Sequence, residues 1–194
     1  MQGAPGEVRI VLRKVVFRRN EEEAGAFAAR VLLKRDLEAG ALRISTNRRE
    51  VEATADGRGV GFETHLEITL PPGTRLKVQN DHGETSVADV AEARVWGSYD
   101  SVRVERVAGI AEVSSKHGDV TVAGVGGALS LTARHGAVEI RQVKGRATLI
   151  VEHGDVSANE VGGLDLNLRH GALTVGPNRA TLPGAPGPFT KAIA

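Results

Sequence analysis

The sequence predicts a mainly β fold, a single-stranded β-solenoid of about six coils, and three observations carry that reading. His-Gly recurs at His82-Gly83, His117-Gly118, His135-Gly136, His153-Gly154 and His170-Gly171, and Tyr99-Asp100 fills the one gap, so the steps are 17 or 18 residues throughout. Counted from the His position, five columns of the repeat are almost wholly apolar. The composition suits narrow coils of strand and turn: 24 glycines, few aromatics, and an apolar content of mainly Val, Leu and Ala.

Residues 1–75 read as a strand, short helix and further strands that cap the first coil. Residues 1–7 have the character of a flexible leader. Residues 8–19 read as a strand. Asn20 is a good N-cap, with Glu23 three positions on as in a capping box and Glu21 and Glu22 favoured by the helix dipole. Ala24, Phe27, Ala28 and Val31 then follow the spacing of one apolar helix face. Residues 31–37 either continue the helix or pair as a strand with residues 41–46; the turn-like residues 36–40 favour a short helix followed by a hairpin. The polar residues 47–58 read as a loop. Val60, Phe62, Leu66, Ile68 and Leu70 alternate with polar neighbours as a half-buried strand, which Pro71-Pro72-Gly73 stops.

The coils run over residues 76–175. Six positions before the ring stand Leu76, Ala93, Ala111, Leu129, Ala147 and Leu164; four before it, Val78, Val95, Val113, Leu131, Leu149 and Leu166. Three after it stand Thr85, Val102, Val120, Val138, Val156 and Leu173; five after it, Val87, Val104, Val122, Ile140, Ala158 and Val175. Val90, Val107, Val125, Val143 and Val161 come eight after it, pointing in past a corner. One coil cannot bury these side chains, whereas stacking at about 4.8 Å builds continuous ladders and pairs each strand with its neighbours. Residues 176–194 hold four of the seven prolines. They read as an extended cap over the last coil or a disordered linker.

Composition excludes several function classes. Twenty-five Lys plus Arg balance 24 Asp plus Glu, so no global field recruits nucleic acid or an anionic surface. Stacking platforms for single-stranded nucleic acid are lacking as well. The absence of cysteine removes disulfides, thiolate metal sites and cysteine nucleophiles. No apolar run reaches the roughly 20 residues of a membrane span, so no direct membrane insertion is expected.

At this point the residues resemble the bacterial toastrack-type β-strand-repeat family of adhesin-like domains. The likeness rests on Leu66-Glu-Ile-Thr-Leu-Pro-Pro-Gly-Thr-Arg-Leu-Lys-Val, in which a strand, a Pro-Gly break and a Leu-x-Val lead into the first coil. It rests also on the turns Gly118-Asp119-Val120-Thr121-Val122 and Gly154-Asp155-Val156. The resemblance implies a right-handed coil and a non-enzymatic cell-envelope or surface domain tied to adhesion or envelope-stress signalling. It supplies no catalytic residues. The sequence departs in carrying no anchor segment and in placing His at turns where the family more often has a small polar residue. With no basic-then-apolar leader present, the extracytoplasmic location implied by the family stands beside a cytoplasmic alternative.

If the coils stack in register, His117, His135, His153 and His170 form a column, with His82 set apart beyond Tyr99. Imidazole is the commonest protein metal ligand, so these four with Asp119 and Asp155 are candidates for Zn²⁺ or Ni²⁺. The bland alternative is a turn ladder, because His is enriched among non-glycine residues at positive φ. Trp96 and Tyr99 are candidates for contact with a glycan or protein partner, against the alternative of plain packing. Ser98, Ser101, Ser114 and Ser115 have no nucleophile elbow, and Gly124-Val-Gly-Gly127 lacks the Lys-Ser/Thr of a phosphate loop. Neither an enzyme nor a cofactor is expected. The leading functional reading is a binding or scaffold domain with a protein or glycan partner. A self-assembling filament and a metal-binding or sensor module that uses the His column are the alternatives.

Overall fold

The computed structural model of the chain describes residues 7–38, 41–54, 61–176 and 189–193. They divide into two compact units, Met1–Leu70 and Pro71–Ala194.

In the first unit, β1 (Arg9–Val16) pairs antiparallel with β4 (Phe62–Thr69). Helix α1 (Glu21–Arg30) begins where the extended backbone of Asn20 lets its side chain accept the Glu22 N–H, and stops at Val31. Its one buried residue, Phe27, meets the edge of the Phe62 ring at 5.1 Å between centroids. Phe27, Val31, Val51 and Phe62 form a small core against which Val16 packs. The expected hairpin is present as β2 (Leu33–Glu38) and β3 (Ala41–Thr46).

Residues 47–58 depart from the expected loop. Arg48–Thr54 form a second helix, α2, and residues 55–60 lie outside the described part. Polarity misled here because the helix buries a single side chain, Val51. Asn47 ties α2 to the segment after α1: its side chain accepts from the Leu32 N–H and donates to the Arg30 carbonyl, and its own carbonyl accepts the Val51 N–H.

The second unit is the expected solenoid of about six coils, built from two parallel sheets. One sheet stacks β5 (Arg75–Asn80), β7 (Glu92–Gly97), β9 (Ala111–His117) and β11 (Leu129–His135) with the later parts of β12 (Val138–His153) and β13 (Val156–His170). The other stacks β6 (Thr85–Val90), β8 (Val102–Val107) and β10 (Val120–Val125) with the earlier parts of β12 and β13 and with β14 (Leu173–Val175). Strands β12 and β13 pass from one sheet to the other with only a shift of register between Val143 and Arg146.

The apolar columns lie in file as the period requires. Val95 pairs with Val113, Val113 with Leu131, Leu131 with Leu149 and Leu149 with Leu166, and all five are buried. Each such Val or Leu contributes about 1.5–3 kcal/mol by leaving water. The sheets meet across the core, since a Cβ added at Gly97 would come within 2.8 Å of the Val102 side chain.

Two inward features go beyond the five columns. A sixth column stands two residues before the ring: Asn80, Gly97, Ser115, Ala133, Val151 and Leu168. It grows from polar to apolar along the stack. Asn80 is satisfied by the Gly83 carbonyl and the Thr85 hydroxyl, and Ser115 donates to the His117 carbonyl. The second feature is a left-handed residue in successive coils: Asp89, Arg106, Gly124, Gln142 and Glu160, with φ of 59, 51, 70, 54 and 54°. This residue drops out of the register as a bulge and turns the following valine inward. That explains why the inward positions five and eight after the ring are not separated by an even number.

The C-terminal segment also adds structure. Phe189–Ile193 form β15, which pairs parallel with the later part of β13 as a further layer of that sheet. Prolines 177, 183, 186 and 188 all precede it, so this piece carries nothing that forbids a ladder. Residues 177–188, on which the rest of the expected cap or linker falls, lie outside the described part.

The corner glycines set a test of this stacking. A Cβ on Gly136, where φ is +125°, would collide with the Gly118 carbonyl of the coil below, whereas one on Gly83, where φ is +94°, would meet nothing. Gly83→Ala therefore costs only backbone strain, about 1–3 kcal/mol. Gly136→Ala costs clearly more, because the coils must separate. Urea unfolding of the two variants measures the difference, and equal losses would contradict backbone contact at this corner.

Candidate functional site: an exposed column of rings

The feature repeated from coil to coil at the surface is a stack of flat rings. His117 and His135 are 4.9 Å apart between centroids, His135 and His153 5.0 Å, and His153 and His170 4.8 Å, each pair within 4° of parallel. His82 does not stand apart. Tyr99 bridges it to the rest, 4.9 Å from His82 and 5.3 Å from His117. All six rings are exposed. Their spacing is that of the strands carrying them, and it falls in the range where aromatic rings attract.

The left-handed corner belongs to the residue after each ring, which corrects the expectation that His itself takes positive φ. Gly83, Asp100, Gly118, Gly136, Gly154 and Gly171 hold it, and no ring residue does. Asp100 is the non-glycine member, and aspartate tolerates this region better than most side chains. His117, His135, His153 and His170 end extended strands, and the carbonyls of the last three accept the N–H of the glycine one coil earlier, as in Gly118 to His135 at 3.0 Å.

Asp119 and Asp155 flank the column and are committed to the backbone. Asp119 Oδ1 accepts the Ala137 N–H and Asp155 Oδ1 accepts the Ala172 N–H, both at 2.8 Å. At the first corner Asp100 Oδ2 accepts the Gly83 N–H. The arrangement reveals a two-coil unit within the repeat. Gly118-Asp119-Val120 returns as Gly154-Asp155-Val156, and Gly136-Ala137 returns as Gly171-Ala172, so each aspartate faces an alanine in the next coil. The signal was in the sequence as the alternation of Asp and Ala two residues after His.

The geometry disfavours a shared metal ion. Equivalent nitrogens on stacked rings are as far apart as the centroids, beyond the roughly 4.2 Å that two Zn–N bonds can span. Among the described residues no group of three His, Asp or Glu side chains is arranged to hold a metal ion.

Trp96 and Tyr99 lie in different places. Tyr99 is half-exposed within the ring column. Trp96 lies on the outer side of β7, with the Lys77 ammonium 5.1 Å from its ring centroid. Ser115 is buried, and the Ser98 hydroxyl donates to Asp81. A hollow of about 300 Å³ in the first unit is lined by Arg18, Glu23, Ala26, Phe27 and Arg30 and holds none of the candidate residues.

The sequence reading missed the charges beside the rings. Immediately before them stand Asp81, Ser98, Lys116, Arg134, Glu152 and Arg169. Arg134 is 3.9 Å from Glu152 in the next coil. Similar inter-coil pairs cover the outer faces: Arg75 with Glu92, Arg94 with Glu112, Arg146 with Asp165 and Arg106 with Asp89.

The Toastrack DUF4097 family model matches residues 16–179, which takes in most of the first unit and the coils through β14. The chain belongs to the Toastrack family. No curated protein and no solved structure matches it. For a Toastrack chain the repeat is therefore the family's own architecture, while the ring column rests on the residues at this chain's corners.

Two outcomes follow. The Arg106 hydrogen bonds hold the Asp89 carboxyl below its ordinary value of 3.8, slight burial opposing and the Arg106 charge adding to the effect. A carboxyl lowered in the fold stabilises it above the unfolded value and loses that contribution as pH falls through the folded one. Asp89→Asn, which suits the same left-handed backbone, should thus unfold at slightly lower urea than the parent near neutrality, and the gap should close below about pH 4. An unchanged gap at about pH 3 would remove the ion pair as its cause. Calorimetric titration with Zn²⁺ or Ni²⁺ should give no heat beyond dilution. A saturable heat that is lost in His135→Asn/His153→Asn would show that the rings turn to share a metal.

Proposed function

We propose that this Toastrack chain is a non-catalytic binding and scaffold domain of the bacterial cell envelope, adhesin-like in presenting a rigid surface to a protein or glycan. The observation that carries the reading is the direct stacking of the coils with an exposed ridge of rings along one corner. Repetition here produces a line of identical groups and not a recess where different groups converge on a substrate. The carboxylates beside the rings serve backbone N–H groups, which leaves them poorly placed for acid–base work. The envelope location draws on the family resemblance. Among the described residues no helix is long and apolar enough to cross a membrane.

End-to-end assembly is the competing reading, and one observation favours it. Leu173 and Val175 of the last coil are 37% and 36% exposed, although they continue columns buried in the earlier coils.

Co-sedimentation with cell-envelope preparations tests the binding reading. The purified chain should pellet with the envelope material and be released by salt if its charged faces make the contact. No co-sedimentation at any pH would sink it. Sedimentation velocity over rising concentration should give a monomer, whereas growing species would favour filaments.

A further inference from the structure

Resting on the binding reading above, we propose that the ring column is a proton-gated ridge for a linear polyanion of the acidic-polysaccharide class. The rings cover one another's faces, so solvent meets their edges, where the imidazole nitrogens lie. From His117 to His170 the ridge runs straight for on the order of 15 Å, one ring per coil. It therefore offers a row of hydrogen-bonding and chargeable groups at a fixed interval.

The charges around this row of rings are balanced. Lys116, Arg134 and Arg169 precede three of the rings, and Glu152 precedes the fourth. Asp119 and Asp155 follow on the other flank, held to the Ala137 and Ala172 N–H groups. Three cations thus face three carboxylates. Imidazole is the side chain whose charge ordinarily changes between about pH 5 and 8. In the protonated form, the stacked imidazoles of His117, His135, His153 and His170 add a line of positive charge spaced by the coil rise. The far end differs: His82 and Tyr99 stand among Asp81, Glu84 and Asp100, so that end stays acidic.

Adjacent imidazolium rings at this spacing repel one another. A polymer with one carboxylate per repeating unit relieves the repulsion at every coil, whereas a monovalent anion relieves it once. Binding and proton uptake are therefore linked, each favouring the other. An extended uronate chain carries one carboxylate per sugar ring, a spacing of the same order as the coil rise. The line is one ring wide, with carboxylates on its flank, which suits a single strand better than a bilayer plane. Its inner rings are covered on both faces, whereas single-stranded nucleic acid would need free ones.

Calorimetry of the full chain with polygalacturonate, at about pH 5 and about pH 7.5, tests the proposal. Affinity should be at least about tenfold higher in acid, with net proton uptake seen as a heat that depends on the buffer's ionisation enthalpy. Neutral dextran should not bind. The variant His117→Asn/His135→Asn/His153→Asn should lose the pH dependence while keeping the parent's circular dichroism. If it does not fold, His153→Asn alone should lose part of it. No binding in acid, equal affinity at both pH values, a folded triple variant that keeps the dependence, or tighter binding of a single-stranded oligonucleotide would each overturn the inference. Failure here with envelope co-sedimentation intact would leave the broader reading standing. Loss of both would remove it too.

Discussion

The coil-to-coil distance of about 4.8 Å, imposed by parallel ladder hydrogen bonds, governs this molecule. A residue type suited to one coil must be suited to its copies directly above and below. Val113, Leu131 and Leu149 fill the core as one file because each covers the next. The bulge at Asp89, Arg106, Gly124, Gln142 and Glu160 recurs for the same reason. A coil that bulged alone would put its next valine out of line and forfeit its ladder bonds on both sides.

The same constraint limits the chemistry such a fold displays. Translation keeps equivalent atoms parallel and equally spaced, so like side chains form rows and do not converge. The ring column is one product, and the inter-coil ion pairs of the outer faces are another. Surface pairs of this kind contribute little individually and are screened by salt. Their value lies in spacing: opposite charges in neighbouring coils support the register, whereas like charges would oppose it.

How much of this was legible depended on whether a position keeps its chemistry from coil to coil. The columns running through Val95, Val122 and Val143 did, so the solenoid could be read from the sequence. The column from Asn80 to Leu168 did not, because its residues enlarge and lose polarity along the stack. The left-handed column was hidden for a similar reason, since Asp, Arg, Gly, Gln and Glu share only a backbone angle. Helix α2 escaped because one buried valine gives no period. At the corners His was conspicuous, yet the conformational demand falls on the next residue. Tyr99 read as an interruption because the shared property is a flat ring and not an imidazole.

The ring-bearing corner also has a direction. Its interior begins with the hydrogen-bonded Asn80 and Thr85 and ends with Leu168 and Leu173. Its exterior begins among Asp81, Glu84 and Asp100 and ends at Arg169, while the coils between set Lys116 and Arg134 against Asp119, Glu152 and Asp155. On the sheet that β15 leaves uncovered, a head-to-tail joint between copies would bring Leu173 of one against Thr85 of the next, burying apolar surface on a group already paired with Asn80. Outside, the same joint would set basic residues beside acidic ones, a contact that is exposed and screened by salt. The two sides of the corner therefore pull in opposite directions, and the interior mismatch is the less forgiving. This polarity suits a domain that meets a different kind of molecule along its length better than one that meets itself at its ends.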